Sequence, residues 1–202
     1  MQVNSNDRTA LPPTTASSVN VAYSSAQVAG DLNIVVVGWN DTTAMVSSVT
    51  DSSGNAYVLA VGPTQSTAGP FTQAIYYASK VKGAAAGANS VTVKFSTAAP
   101  YPDIRIAEYS CVSVLDAKAG ASGSSTSASS GTATTTVAKE LVFAANMVAQ
   151  TTTGAGAGYT NRTITADGNI VEDEIVSAVG SYQATAPQSP TGAWIMQLVT
   201  FH

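Results

Sequence analysis

Residues 103–110 read DIRIAEYS, with apolar and polar positions in alternation. A period of two marks a β-strand, whose successive side chains point to opposite faces. Ile104 and Ile106 share one face, and Glu108 falls on it as well. A carboxylate in register with two isoleucines has three explanations: a catalytic group, a buried ion pair, or a bulge at Ala107 that turns Glu108 outward. A second acidic run, VEDEIV at 171–176, puts Glu172 and Glu174 on a face with Ile170 and Val176, and Asp173 on a face with Val171 and Ile175. Acids on both faces call for a cation, and Arg105 and Arg162 are the natural partners.

The same period recurs along the chain. Runs rich in Val, Ile, Thr and Tyr, bounded by Gly, Pro, Asn, Asp and Ser, predict strands at 18–23, 32–39, 47–51, 56–61, 72–79, 90–95 and 103–110. Further strands are expected at 132–137, 141–148, 159–165, 170–176, 180–186 and 193–201. SSGNAY at 52–57 and ADGNI at 166–170 each suit a tight hairpin, because Gly and Asn accept positive φ. KGAAAGA at 82–88 admits a short helical turn. Many short strands at regular spacing predict an all-β, antiparallel, jelly-roll-like β-sandwich. AGASGSSTSASSGTATTT at 119–136 reads as a low-complexity loop, and TTTGAGAG at 151–158 as a second soft one. The apolar strands before the first loop need partners from those after it, so residues 1–202 are read as one domain. Residues 2–4 and 194–201 are both strand-like; pairing of both would close the domain, and an unpaired one would favour assembly.

Composition narrows the class. Of 202 residues, 45% are hydrophobic and 10% charged, with a net charge of −4; a charged share of about 25% is typical of soluble domains. Ser and Thr make up about a quarter of the chain and supply the polar surface instead. Eight Lys and Arg, without a cluster, exclude nucleic acid as a partner. No apolar run is long enough for a membrane helix, so no membrane insertion is expected. The start, MQVNSNDRTALPP, lacks the pattern of a signal peptide, and a mature form or excised module is expected. Cys111 is the one cysteine, so no intrachain disulfide forms, and it reads as a small buried hydrophobe.

Several phrases taken together carry a resemblance: AGDLNIVVVGWND at 29–41, SVTDSSGNAYVLA at 48–60, IYYASKVKGAAAGANSVTVKF at 75–95, YPDIRIAEYS at 101–110 and GAWIMQLVTF at 192–201. The chain resembles an uncharacterised jelly-roll-like β-sandwich module of large secreted or cell-surface bacterial proteins. The resemblance implies an extracellular setting and neighbouring domains of a larger parent chain. It implies no catalytic residue.

The candidate chemistry is sparse. The single histidine, His202, is the last residue, and no G-x-S-x-G elbow occurs, which argues against a Ser-His-Asp hydrolase and a zinc site. Asp103, Glu108, Glu172, Asp173 and Glu174 are the carboxylates from which a glycosidase pair would be drawn, and Glu108-Tyr109 superficially resembles the catalytic strand of small jelly-roll xylanases. Those enzymes line their cleft with many aromatic rings; this chain has two Trp. The chain is therefore read as a non-enzyme, with catalytic and metal residues none and no cofactor. A structural Ca²⁺ at Asp51, Asn55, Asp167 and Asn169 is the one ion left open; Asx turns explain the same residues.

Exposed aromatic rings are the remaining signal. Trp39, Tyr77 and Tyr101, with Arg105 and Glu108, form the expected ligand-binding set, and a polysaccharide or glycan is the expected partner. In the adjacent pair Tyr76-Tyr77 the rings must point to opposite faces, so one leaves the core. The reading from sequence is a secreted or cell-surface, non-catalytic module that binds carbohydrate. A structural or adhesive assembly module is the alternative, and a glycoside hydrolase using Glu108 the remote one.

Overall fold

A computed structural model describes the backbone of residues 2–9 and 15–202 and the side chains of 15–202; part of the N-terminal segment, residues 1 and 10–14, lies outside the described residues. The fold is all-β and antiparallel, with sheets packed as in a β-sandwich, and no helix occurs among the described residues. Accordingly, none is long and apolar enough to cross a membrane. The strands are β1 (Gln2–Thr9), β2 (Thr15–Ala22), β3 (Leu32–Trp39), β4 (Val46–Asp51), β5 (Val58–Gln65), β6 (Thr72–Ala78), β7 (Ser90–Pro100) and β8 (Asp103–Tyr109). They continue with β9 (Leu115–Thr134), β10 (Glu140–Val148), β11 (Thr151–Thr152), β12 (Thr160–Ile164), β13 (Ile170–Val176) and β14 (Ser181–Phe201). The chain forms two compact units: Met1–Leu59 with Ile75–Ser113, and Ala60–Ala74 with Val114–His202. The divisions fall inside β5 and β6 and just before β9, so neither unit is a contiguous stretch of chain.

One sheet has the order β1-β8-β3-β6-β5; the first unit takes β1, β8, β3 and the parts of β5 and β6 at 58–59 and 75–78 from it, together with a three-stranded sheet, β2-β7-β4. Every residue of β3 and of β8 is buried. A continuous apolar run such as LNIVVVGW, in place of alternation, is what a strand covered on both faces requires. The three-stranded sheet alternates: Val19, Val21, Val91 and Val93 are buried, while Ser18, Asn20 and Lys94 face out. Trp39 of β3 meets Phe95 of β7 edge to face, with ring centroids 5.5 Å apart, and its Nε1 donates to the Ala44 carbonyl at 3.1 Å.

In the second unit the sheet order is β11-β14-β10-β13-β12, and β9 runs along β14. The β9–β14 pairing changes register between Pro187, opposite Ser127, and Gly192, opposite Ser125. Ala128, Ala133, Ala184 and Ala186 on one side of this break share a core with Trp194, Met196 and Leu198 on the other, and with Val142, Ala144 and Ile170. Residues on both sides of the break thus belong to one core.

Several expectations change. The stretch read as a loop at 119–136 is mostly strand: β9 takes it as far as Thr134, and the runs at 180–186 and 193–201 are one strand, β14. Low complexity here is a packing requirement, because β9 lies against large residues of β14. Gly123 sits opposite Trp194, and a Cβ on Gly123 would lie 2.7 Å from the indole. The indole Nε1 donates to Ser125 Oγ at 2.8 Å on the same strand. Residues 82–88 hold an isolated bridge from Ala84 to Gln27 and a turn, not a helical turn. β8 pairs with β3 in unbroken register, so Ala107 carries no bulge. Cys111 is exposed, on a left-handed residue (φ 67°), rather than buried. The expected hairpin at Gly168 (φ 82°) forms between β12 and β13; Gly54 (φ 72°) sits in a turn, but β4 pairs with β7 and β5 with β6, so no hairpin forms there. Both terminal segments pair, β1 with β8 and β14 with β9 and β10.

Gly123→Val should lower unfolding stability by about 1–3 kcal/mol through overpacking against Trp194. Thr126→Val, at an exposed position of the same strand, should change it by less than about 0.5 kcal/mol. Urea denaturation followed by tryptophan fluorescence distinguishes the two; equal effects would mean that β9 does not depend on small residues.

Candidate functional site

The five residues expected to bind a ligand do not assemble on a surface. Trp39 is 1% exposed and Glu108 is fully buried. Arg105, 1% exposed, lies against Asp103, with Nε 3.1 Å from the carboxylate. This buried pair sits on the face of β8 opposite Glu108, which corrects the expectation of a Glu108–Arg pair at a sheet edge; β8 is flanked by β1 and β3. Tyr101 is exposed, with φ 46°, between two prolines. Tyr76 and Tyr77 are both half-buried, so neither ring leaves the core entirely.

Glu108 has a local structural task. Its Oε1 accepts the Val28 N–H at 3.0 Å, tying β8 to the connection between β2 and β3. Asp31 lies nearby, and burial raises its carboxyl above the ordinary range while Glu108 opposes the rise.

A larger polar network gathers around Asp51, at the end of β4. Asp51 Oδ2 accepts from Asn55 Nδ2 at 2.7 Å, Asn89 Nδ2 at 3.0 Å and the Tyr57 hydroxyl at 3.0 Å, while Oδ1 accepts the Asn55 N–H at 2.9 Å. Asn89 also donates to Gln27 Oε1 at 2.7 Å, Gln27 to Asn33 Oδ1 at 2.8 Å, and Asn33 to the Tyr57 hydroxyl at 3.1 Å. Burial alone would raise the Asp51 carboxyl, but the bonds from Asn89, Asn55 and Tyr57 take it below the usual carboxylate range. The network joins the turn after β4 to the connections before β3 and β7. Asp51 and Asn55, two of the candidate calcium ligands, are thus occupied in holding loops. Asn169, a third, accepts the Val148 N–H at 3.0 Å, and Asp167 is exposed. Among the described residues no group of three or more His, Cys, Asp or Glu is placed to hold a metal.

The second unit holds the most perturbed carboxyl. Glu172 lies on β13 between Ala144 of β10 and Asn161 of β12, and is fully buried. Its Oε2 accepts the Gly156 N–H at 2.8 Å, and its Oε1 has no hydrogen-bond partner. Burial pushes Glu172 up to about 7; the Gly156 bond opposes this and the nearby Asp173 adds to it. Glu174 shares the face and is also raised by burial. Tyr159 packs beside the core of this unit, and its buried hydroxyl, likewise without a partner, feels both glutamates. On the opposite face Asp173 takes Arg162 in a two-pronged pair, 2.7 and 2.8 Å. The same-face spacing of Glu172 and Glu174 was legible in the sequence. The bond from Gly156, brought to Glu172 by the soft loop, was not.

Comparison of the chain with protein-family models, curated proteins and solved structures returns no match.

Two outcomes follow from these clusters. A folded-state pKa near 7, above the unfolded value, means that the native state binds the extra proton. Stability from Glu172 is present below about pH 4.5 and is lost as pH rises to about 7, an amount on the order of 2–3 kcal/mol. Glu172→Gln should remove this part of the slope and leave the variant the more stable at pH 8; parallel pH profiles would contradict it. Asp51→Ala should cost about 2–4 kcal/mol by stranding the Asn55, Asn89 and Tyr57 donors, with Asp51→Asn recovering part of it, as chemical denaturation would read.

Proposed function

We propose that this chain is a non-catalytic structural module of a larger secreted or cell-surface protein. The observation that carries the reading is the inward commitment of its reactive side chains. Glu108, the sequence candidate for catalysis, holds the Val28 N–H inside the fold. Asp51 holds three connections, and Arg105 and Arg162 are engaged with Asp103 and Asp173. What faces outward on β2, β7 and β4 is mainly hydroxyl and amide: Asn20, Thr92 and Thr50 lie in one cross-strand row, Ser18, Lys94 and Ser48 in the next. Such a face suits a spacer that stays soluble with little charge. The carbohydrate-binding reading loses support because Trp39, Arg105 and Glu108 are buried.

The test incubates the protein with a panel of soluble and insoluble polysaccharides and assays released reducing sugar in the same tubes. Neither retention nor release is expected. Retention lost in Tyr101→Ala would replace the proposal with a carbohydrate-binding module, and release lost in Glu108→Gln would replace it with a glycosidase.

A further inference from the structure

The side chains around Asp51 form a closed ring. Asn89 Nδ2 donates twice, to Asp51 Oδ2 at 3.0 Å and to Gln27 Oε1 at 2.7 Å. From Gln27 the bonds run to Asn33 Oδ1 at 2.8 Å, from Asn33 to the Tyr57 hydroxyl at 3.1 Å, and from that hydroxyl to Asp51 Oδ2 at 3.0 Å. Every donor in the ring points toward the Asp51 carboxylate, by the short path or the long one. An ionised carboxylate only accepts, so Asp51 sets the direction of the whole ring, and bonds in such a chain polarise one another. Gln27, Asn33 and Asn89 are buried, so a broken ring strands amides away from water. The ring joins three connections of the first unit: 23–31 between β2 and β3, 52–57 between β4 and β5, and 79–89 between β6 and β7. Main-chain groups reinforce the join. The Asn55 N–H bonds Asp51 Oδ1, the Ser53 N–H bonds Asn89 Oδ1, the Lys82 N–H bonds Asn55 Oδ1, and Gln27 and Ala84 exchange both main-chain bonds.

We propose that the ring is an acid-opened latch: ionised Asp51 holds the three connections closed as one body, and protonated Asp51 releases them together while the strands behind them stay paired. A carboxylate offers about four acceptor sites, and Asp51 fills them with Asn55 twice, Asn89 and Tyr57. A proton turns one of those sites into a donor, so a bond in the ring has to break. The ladder between β3 and β8 does not pass through the ring. Burial raises the Asp51 carboxyl, but the bonds from Asn89, Asn55 and Tyr57 outweigh it and hold it below the usual carboxylate range. The stabilisation is therefore complete above about pH 4 and is lost as pH falls below that value. Two further carboxyls belong to this end: Glu108, on the Val28 N–H, and Asp31, raised by burial. Lys82 lies at the same turn, its Nζ donating to the Ser53 and Gly54 carbonyls, and burial raises the hydroxyls of Tyr23 and Tyr57, which stay neutral in acid.

The test is residue-resolved amide exchange from neutral pH down to about pH 2.5, corrected for intrinsic rates, alongside a carbon-13 titration of the Asp51 carboxyl. The N–H groups of Gln27, Ser53, Asn55 and Lys82 should lose protection together, by about tenfold, while amides of β3 and β8 keep theirs. Their common midpoint should coincide with that of the Asp51 carboxyl. Glu108→Gln and Asp31→Asn should retain the step. Asp51→Asn, which keeps the side-chain shape, should leave the four amides weakly protected at neutral pH and without an acid step. The proposal is overturned if the four amides open at separate midpoints, if β3 and β8 open with them, or if the step survives in Asp51→Asn or disappears in Glu108→Gln or Asp31→Asn. Should Asp51→Asn fail to fold, the wild type decides: an exchange midpoint away from the Asp51 carboxyl titration also overturns it.

Discussion

Burial of both faces of the central strands is the constraint on which the rest of the structure depends. β3, β8 and β10 are buried from end to end. A polar side chain on such a strand has no water to fall back on and must be satisfied by the protein, or it costs free energy comparable to a lost hydrogen bond. The positions of Asn33, Asp103, Arg105, Glu108 and Asn146 on these strands therefore dictate what the loops above them must offer. Asn146 shows this in the second unit: its Nδ2 donates to Thr152 Oγ1 at 2.8 Å, and its Oδ1 accepts the Ile170 N–H at 2.8 Å.

The two units meet this demand in different ways. Around Asp51 the first unit supplies side-chain amides, a phenol and a main-chain N–H. They outweigh desolvation, and the carboxyl falls below its ordinary range. Around Glu172 the second unit supplies one main-chain N–H, desolvation prevails, and the carboxyl rises to about 7. The difference is one of donor number at comparable distance, since the bonds themselves are alike at 2.7–3.0 Å. A donor-rich site is complete as it stands and reads as structure. A donor-poor site leaves the balance to desolvation, which favours the protonated carboxyl.

Small residues are the other means by which the fold is closed. The paired strands β9 and β14 contribute Ala128, Ala133, Ala184 and Ala186 to one core with Trp194, Met196 and Leu198. Large side chains on one half require small ones on the other, because interiors pack to near-crystalline density. Gly156 applies the same economy at the Glu172 site. A Cβ there would fall on the Thr185 carbonyl oxygen, so only glycine brings its N–H to the carboxylate. A chain built this way commits several of its ionisable groups, Asp51, Glu108 and Glu172 among them, to internal joints.

Alternation and apolar runs were enough to determine that the chain is all-β and antiparallel and where most strands lie, with β3 and β13 matched to the residue. Strand period is a local property, set by backbone geometry and readable from neighbours in sequence. The turns at Gly54 and Gly168 were legible for the same reason, since positive φ is a demand on one residue. The identity of β9 as a strand was not legible. Its small residues carry no period of their own and acquire meaning only opposite Trp194 and its neighbours. The fates of Glu108, Asp51 and Glu172 were decided by the tertiary structure, because their partners Val28, Asn89 and Gly156 come from other parts of the chain, brought within hydrogen-bonding distance by folding. Sequence could say that a carboxylate shared a face with two isoleucines; whether that face met water, an arginine or a loop N–H was a question of which segment covered it.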